Sequence, residues 1–278
     1  MSWVKDSFYR IGHDHEVCQD FAGTSKSATD VFLCVSDGCS SSPDSDWGSR
    51  LLVSFAISNF ASYAANYTKW EDMAHAILHF THCQQINIPG IVQQSLDATL
   101  IFATTEGDNV KATMWGDGTI CVVKSDGSYD VIIVDYKENT PLYLSYLLSD
   151  KRREALKTVD MTKTIRTFHY DAQGNGIDVD VVESKTDFEA FTFISPLKVF
   201  IMTDGITSFK QKVTNSNGIP VVDNYPFDKI IRELIHIPNT NGNFLKRCWG
   251  KMRQTMGKNS IYHHDDFSCA ALIRTVVS

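Results

Sequence analysis

The sequence predicts an α+β fold in which antiparallel sheets stack face to face and helices cover the outside. Three features carry that expectation. Between Asp97 and Val134, short runs of β-formers are separated by Asp-Gly and Asn-containing segments, which is hairpin composition because Asn, Asp and Gly tolerate positive φ. The runs 31–35 and 199–202 are continuously apolar and each leads to an Asp-Gly pair, as strands covered on both faces do. Helical periodicity comes in pairs, before the β-rich middle and after the second Asp-Gly strand, and amphipathic helices bury their apolar stripes against sheets.

Taken in order, residues 2–12 alternate weakly and suit an edge strand. They lead into Gly12-His-Asp-His-Glu-Val-Cys-Gln-Asp-Phe21, a crowd of polar side chains that is either a solvated loop or a site, the loop being the commoner case. The strand from Val31 ends at Asp37-Gly38, and the small residues Cys39 to Ser42 let the backbone bend. Ser45 or Asp46 suits the N-cap of a helix over 45–63, since Leu51, Leu52, Phe55, Ala56, Asn59 and Phe60 recur at helical spacing. A second helix is expected over 70–85, stopping before Pro89-Gly90. It carries His75, His79 and His82 near one face beside Cys83. Histidines one turn apart can bind zinc, but the glutamate of H-E-x-x-H is missing, and solvated histidines on an amphipathic helix are the commoner explanation.

The β-runs 98–104, 110–115, 119–123 and 129–134 then predict an antiparallel meander. Residues 136–196 carry little pattern beyond a helix near 142–156 and a polar stretch at 171–176. After the strand leading to Asp204, residues 206–225 mix Lys, Asn, Gly and Pro without periodicity, which predicts an irregular surface segment beside Asp204. Helices over 227–236 and 243–256 follow. In the tail the order reverses, with Asp265-Asp266 preceding an apolar strand. No repeat, low-complexity tract or linker interrupts the chain, so one domain over 1–278 is expected.

Composition narrows the function classes. At 278 residues with 43% hydrophobic, 11% aromatic and 21% charged residues, the chain can bury a sizeable core. A net charge of -7 argues against nucleic acid as partner, since its binders present a basic face. The seven cysteines form no C-x-x-C pair and several sit inside apolar runs, which fits free thiols in a reducing compartment. The N-terminus lacks an apolar signal core, and no apolar stretch approaches the roughly 20 residues that span a bilayer. A cytoplasmic protein without a membrane partner is expected.

If the strand after Asp266 runs antiparallel to those leading to Asp37 and Asp204, all three acidic positions fall at one sheet edge. Carboxylates gathered there repel one another unless cations neutralise them. Oxygen-only ligands select hard cations, magnesium or manganese, over zinc. Each Asp-Gly alone is more often a turn, but three acidic strand ends with matching flanks point to a metal site.

These segments resemble, in wording and in order, the metal-dependent type 2C protein serine/threonine phosphatases, in particular compact bacterial members. Gln19-Asp20 is similar to the family's opening E-D or Q-D element, Asp37-Gly38 to D-G-H-G-G, and Ala98-Thr-Leu-Ile to the strand beginning G-[ST]-T. Met114-Trp-Gly-Asp-Gly-Thr119 resembles N-x-G-D-S, Met202-Thr-Asp-Gly-Ile206 resembles S-D-G-[LV], and Asp265-Asp-Phe-Ser-Cys269 resembles the closing D-[ND]-x-[ST] strand.

The resemblance implies a four-layer α/β/β/α sandwich and a centre of two Mn2+ or Mg2+ ions. In it Asp37 bridges the ions, the Gly38 carbonyl holds one, Asp204 and Asp265 complete the other, Asp20 acts through water, and Asp117 belongs to a third, weaker site. The implied substrate is a phosphorylated protein made by a serine/threonine kinase. The chain departs from the family at Gln19, where many members have glutamate, and at His15, which stands where a phosphate-binding arginine is usual. It departs again at Cys39, in place of the eukaryotic general-acid histidine, and at Ser40 and Ser41 in place of glycines. Two alternatives follow: a catalytically weak scaffold that binds a phosphoprotein, and a zinc hydrolase using His75, His79 and His82.

Overall fold

The computed structural model describes residues 2–26, 31–66, 69–215 and 218–275. In chain order the strands are β1 (Ser2–Arg10), β2 (Phe21–Thr24), β3 (Phe32–Ser36), β4 (Leu100–Glu106), β5 (Asn109–Trp115), β6 (Gly118–Val123), β7 (Tyr129–Tyr136), β8 (Lys163–Tyr170), β9 (Gly176–Ser184), β10 (Glu189–Phe193), β11 (Lys198–Met202), β12 (Phe209–Thr214), β13 (Pro220–Asn224), β14 (Ile261–His263) and β15 (Phe267–Thr275). The helices are α1 (Ser45–Asn66), α2 (Trp70–Gln85), α3 (Asp150–Leu156), α4 (Phe227–Ile235) and α5 (Phe244–Lys258). Seven strands form one antiparallel sheet in the order β1-β15-β11-β6-β7-β8-β9, five form another in the order β10-β5-β4-β3-β2, and β13-β12-β14 make a small third sheet. The fold class is therefore mixed α+β, as the strand and helix patterning predicts.

Three apolar clusters hold these elements together. Along β3, Leu33 and Val35 point between the two large sheets, meeting Ile101 and Met114 of their own sheet and Ile120, Val134, Ile201 and Leu272 of the other. Phe32 and Cys34 point the opposite way, under Leu52, Val53 and Ala56 of α1 and Met73 and Ile77 of α2. That double burial explains why the run is apolar at every position. A third cluster packs Ile230 and Leu234 of α4 and Leu245, Trp249 and Met252 of α5 against Phe8, Val131, Phe200 and Phe267. All seven cysteines are free thiols.

Three segments differ from expectation. The predicted meander divides: β4 and β5 pair in the five-stranded sheet, whereas β6 and β7 pair in the seven-stranded one. Gly116-Asp117 is thus a crossing between sheets, with Gly116 at φ +87 and Gly118 at φ +146. The helix expected near 142–156 is a 3-10 turn (Leu144–Leu148) followed by the short α3. Within the segment expected to be irregular, β12 and β13 pair as a hairpin and β14 joins β12; residues 216 and 217 lie outside the described residues.

Register positions the site. Phe21 pairs with Ser36, so Asp20, just before β2, lies beside Asp37, just after β3. Met202 pairs with both Thr119 and Cys269, which brings Asp117, Asp204 and the Asp265-Asp266 doublet to one end of the seven-stranded sheet. Gly38 bridges Ala98 immediately before β4, and β4 begins opposite Trp115 at the end of β5. Asp117 is only two residues beyond Trp115, so the acidic ends of the two sheets meet.

Candidate metal centre

Asp37 is held through its backbone, and its carboxyl meets Asp20 and Asp204. Its N–H donates to Thr99 Oγ1 at 2.9 Å and its carbonyl accepts the Thr99 N–H at 2.8 Å. The side chain is thereby left to face the other acids. Gly38 N–H donates to the Gln19 carbonyl at 3.2 Å, joining the two acidic segments. Asp20 is 1% exposed; Thr203 Oγ1 donates to its Oδ2 at 2.6 Å, while its buried Oδ1 has no partner. Asp204 opens a 3-10 turn (Asp204–Thr207). A Cβ on the next residue, Gly205, would lie 1.7 Å from the Asp266 carbonyl oxygen, so only glycine lets the Asp204 turn press against the entry to β15.

The electrostatics is that of uncompensated anions. Burial first, then the charges of Asp204 and Asp266, push Asp20 up to about 8, although hydrogen bonds with Asp37 and Thr203 pull the other way. Asp37 stands well above the ordinary carboxylate range through burial and through Asp20, Asp204 and Asp117. Asp117 is raised by burial and then by Asp204. Asp204 rises to about 6 through burial, Asp265 and Asp135. Asp37, Asp117 and Asp204 keep part of their surface open to solvent, which moderates burial and leaves mutual repulsion as a substantial cause. None of the leading contributions comes from a cation.

That donor set fits divalent cations: it is oxygen-only and rich in carboxyl groups that a bound cation would hold ionised, and one buried carboxylate oxygen is orphaned. Among the described residues, no three His, Cys, Asp or Glu side chains are spaced to hold one ion together. Magnesium-type sites do not require three, because such ions keep several waters and take one or two carboxylates. The zinc alternative has less behind it. His82 Nδ1 lies 3.0 Å from Gln85 Oε1 and His79 Nε2 lies 3.9 Å from Cys83 Sγ, contacts within a single helix that need no metal.

Asp265 and His15 sit at the rim. Asp265 is 44% exposed, and its Oδ1 lies 3.3 Å from His15 Nε2. The other ring nitrogen of His15, Nδ1, lies 3.0 Å from Asp266 Oδ2. Burial lowers the His15 pKa, but Asp266, Asp265 and Asp20 outweigh it and the net direction is up. Gln19 turns its amide to Ser45, with Nε2 3.0 Å from Oγ. Asp266 is the residue that sequence reasoning passes over. It is 2% exposed and accepts the N–H of Gly12 at 2.7 Å and of Gln19 at 2.5 Å, fixing the loop that carries His15 and Asp20. The available signal was the doublet itself, since two adjacent acids at a strand entrance face different ways.

A sequence profile described as protein phosphatase 2C matches residues 11–256. The chain belongs to the protein phosphatase 2C family. No curated protein matches it significantly. Among solved structures, a bacterial serine phosphatase superposes with a TM-score of 0.56 at 13% identity, covering 99% of this chain and 98% of that one. The serine/threonine phosphatase Stp1 from Staphylococcus aureus gives 0.54 at 13% identity over 98% and 95%. PppA, described as a key regulatory component of T6SS in Pseudomonas aeruginosa, gives 0.51 at 12% identity over 98% of both chains. At such identities the neighbours show the protein phosphatase 2C fold. No helix among the described residues is long and apolar enough to cross a membrane.

Proposed function

We propose that this protein is a manganese- or magnesium-dependent phosphatase of phosphoserine and phosphothreonine in proteins. The observation that carries the reading is the convergence of Asp20, Asp37, Asp117 and Asp204 at one end of the sheets, each raised in pKa by burial and by the charge of neighbouring acids. Asp37, the Gly38 carbonyl, Asp204 and Asp265 would hold two ions, Asp20 would support them through water, and Asp117 would serve a third. When bound, such ions supply Lewis acidity, making water nucleophilic near neutral pH and offsetting phosphoryl charge.

The chain's own groups position and orient. Thr99 fixes the Asp37 backbone, Thr203 orients Asp20, and Asp266 fixes the loop on which His15 stands. His15, placed between two carboxylates, has its pKa raised by them, and an imidazolium beside the site would help to offset phosphoryl charge. The phosphoprotein substrate of such an enzyme comes from a serine/threonine kinase, and its cytoplasmic setting belongs to the same reading. A second reading, a catalytically weak scaffold, draws on the Gln19 amide, which bonds Ser45 instead of adding a carboxylate to the cluster.

The test is hydrolysis of p-nitrophenyl phosphate and of a phosphothreonine peptide with Mn2+. Turnover that the Asp37→Ala variant lacks supports the enzyme. Tight Mn2+ binding without turnover above that variant favours the scaffold.

A further inference from the structure

Asp97 makes more contacts than a residue at the end of a 3-10 turn (Gln93–Leu96) requires. Its side chain is 5% exposed and accepts four hydrogen bonds. Arg152 on α3 grips it with both ends of the guanidinium, Nη1 to Oδ1 at 2.9 Å and Nη2 to Oδ2 at 2.7 Å. Ser145 Oγ donates to Oδ1 at 2.6 Å and Ser42 Oγ donates to Oδ2 at 2.9 Å. Both oxygens are thus filled by donors from three separate segments. The guanidinium also lies 4.1 Å above the Tyr146 ring, a stacking that holds its plane.

The backbone of the same stretch grips the acidic strand end. The Cys39 N–H donates to the Asp97 carbonyl at 2.8 Å, Gly38 bridges Ala98, and Thr99 takes both backbone groups of Asp37. Residues 97–99 therefore line residues 37–39 one for one, and Ser42 ties the far side of that loop to the Asp97 carboxylate. The loop after Gly38 holds Ser40 and Ser41 where the family has glycines, and this network supplies the constraint on it.

Resting on the reading of Asp37 and Gly38 as metal-binding groups, we infer that the Arg152–Asp97 pair is a positioning clamp. It sets the Asp37-Gly38 strand end, so that metal affinity depends on a helix that contributes no ligand. A bidentate arginine fixes direction as well as distance, which a lysine cannot reproduce. Partners that orient metal-binding groups without touching the ion typically contribute about 10–100-fold in affinity. If the pair merely anchored α3, its loss would lower thermal stability and leave affinity alone.

The experiment is calorimetric titration of Mn2+ into the full chain stripped with EDTA, for wild type, Arg152→Met, Ser42→Ala and Ser145→Ala, with melting in EDTA alongside. Ser42 and Ser145 donate to the same carboxylate, but only Ser42 lies on the loop after Gly38, and neither change removes a buried charge. The clamp predicts Mn2+ binding weakened about ten-fold or more by Arg152→Met, weakened measurably by Ser42→Ala, and unchanged by Ser145→Ala. An Arg152→Lys variant does not restore affinity. Arg152→Met and Ser42→Ala both binding within two-fold of wild type overturns the clamp while leaving the metal reading intact; should Arg152→Met not fold, Ser42→Ala alone decides. Wild-type protein that binds no Mn2+ overturns the metal reading, and the clamp with it.

Discussion

Replacing Asp204 by Asn should make the metal-free protein more stable, not less. Asp204 is raised from 3.8 to about 6 in the folded chain, a rise of about two pH units worth ~3 kcal/mol at 1.36 kcal/mol each. Solvent at the site and protons shared with Asp37 reduce this to about 1–3 kcal/mol. The sign follows from linkage. Between the unfolded pKa near 4 and the folded value near 6, the native state binds more protons than the unfolded state, so stability falls as pH rises through that window. Above it, the folded protein carries the full penalty of an ionised Asp204 among like charges. Asn keeps the shape and removes the charge. In EDTA at pH 8, Asp204→Asn should therefore melt several degrees above wild type, at roughly 2 °C or more per kcal/mol for a chain of this size. The difference should vanish toward pH 4. Comparing the two proteins at each pH cancels titration elsewhere, including His169, whose pKa is raised by Asp130 and Asp180. Mn2+ at about a thousand times its Kd should reverse the ranking, because ligand binding then stabilises the native state by about 4.1 kcal/mol and the variant binds poorly. A metal-free Asp204→Asn protein that melts at or below wild type throughout pH 5–8 would refute the picture of uncompensated anions.

Other changes test the scaffold. Gly205→Ala puts a methyl 1.7 Å from the Asp266 carbonyl oxygen, and thermal melting should show a loss of at least about 2 kcal/mol, since overpacking against backbone cannot relax by rotamer change. Lys163 is fully buried with Nζ 2.6 Å from Glu189 Oε1, and it ties β8 of the seven-stranded sheet to β10 of the five-stranded one. Lys163→Met should cost about 3–5 kcal/mol in denaturant unfolding by stranding the glutamate, and adding Glu189→Gln should recover part of it. On β9, the free edge of the seven-stranded sheet, Ile177 is 67% exposed. Ile177→Lys should reduce light scattering on heating without changing Mn2+-dependent turnover, because charge on an edge strand opposes edge-to-edge pairing.

What the sequence discloses depends on whether a residue's partner is near in the chain or imposed by topology. β3 and β11 are legible because double burial demands the unbroken apolar runs 32–35 and 199–202, and the acids after them because carboxylates where two such strands end are what the proposed metal site needs. β9 is illegible for the opposite reason: Ile177, Val179, Val181 and Val182 are all exposed, so no buried face imposes a pattern. Gly116-Asp-Gly118 shows the limit of turn chemistry. Glycine and aspartate announce that the chain changes direction, but whether β6 returns beside β5 or enters the other sheet depends on β11, to which β6 pairs from some eighty residues away. The same limit hides the groups that hold the acids. Asp266 is buried because Gly12 and Gln19 bring it backbone donors across the whole length of the chain. Asp97 is buried because Arg152 reaches it from α3, some fifty-five residues on, and nothing local to either residue announces the contact. The groups proposed to bind metal are constrained in identity and stand out, whereas their supports are constrained only in position, and any donor at the right place would serve. Substitutions at the supports should therefore be compensable from another segment, while those at Asp37 should not.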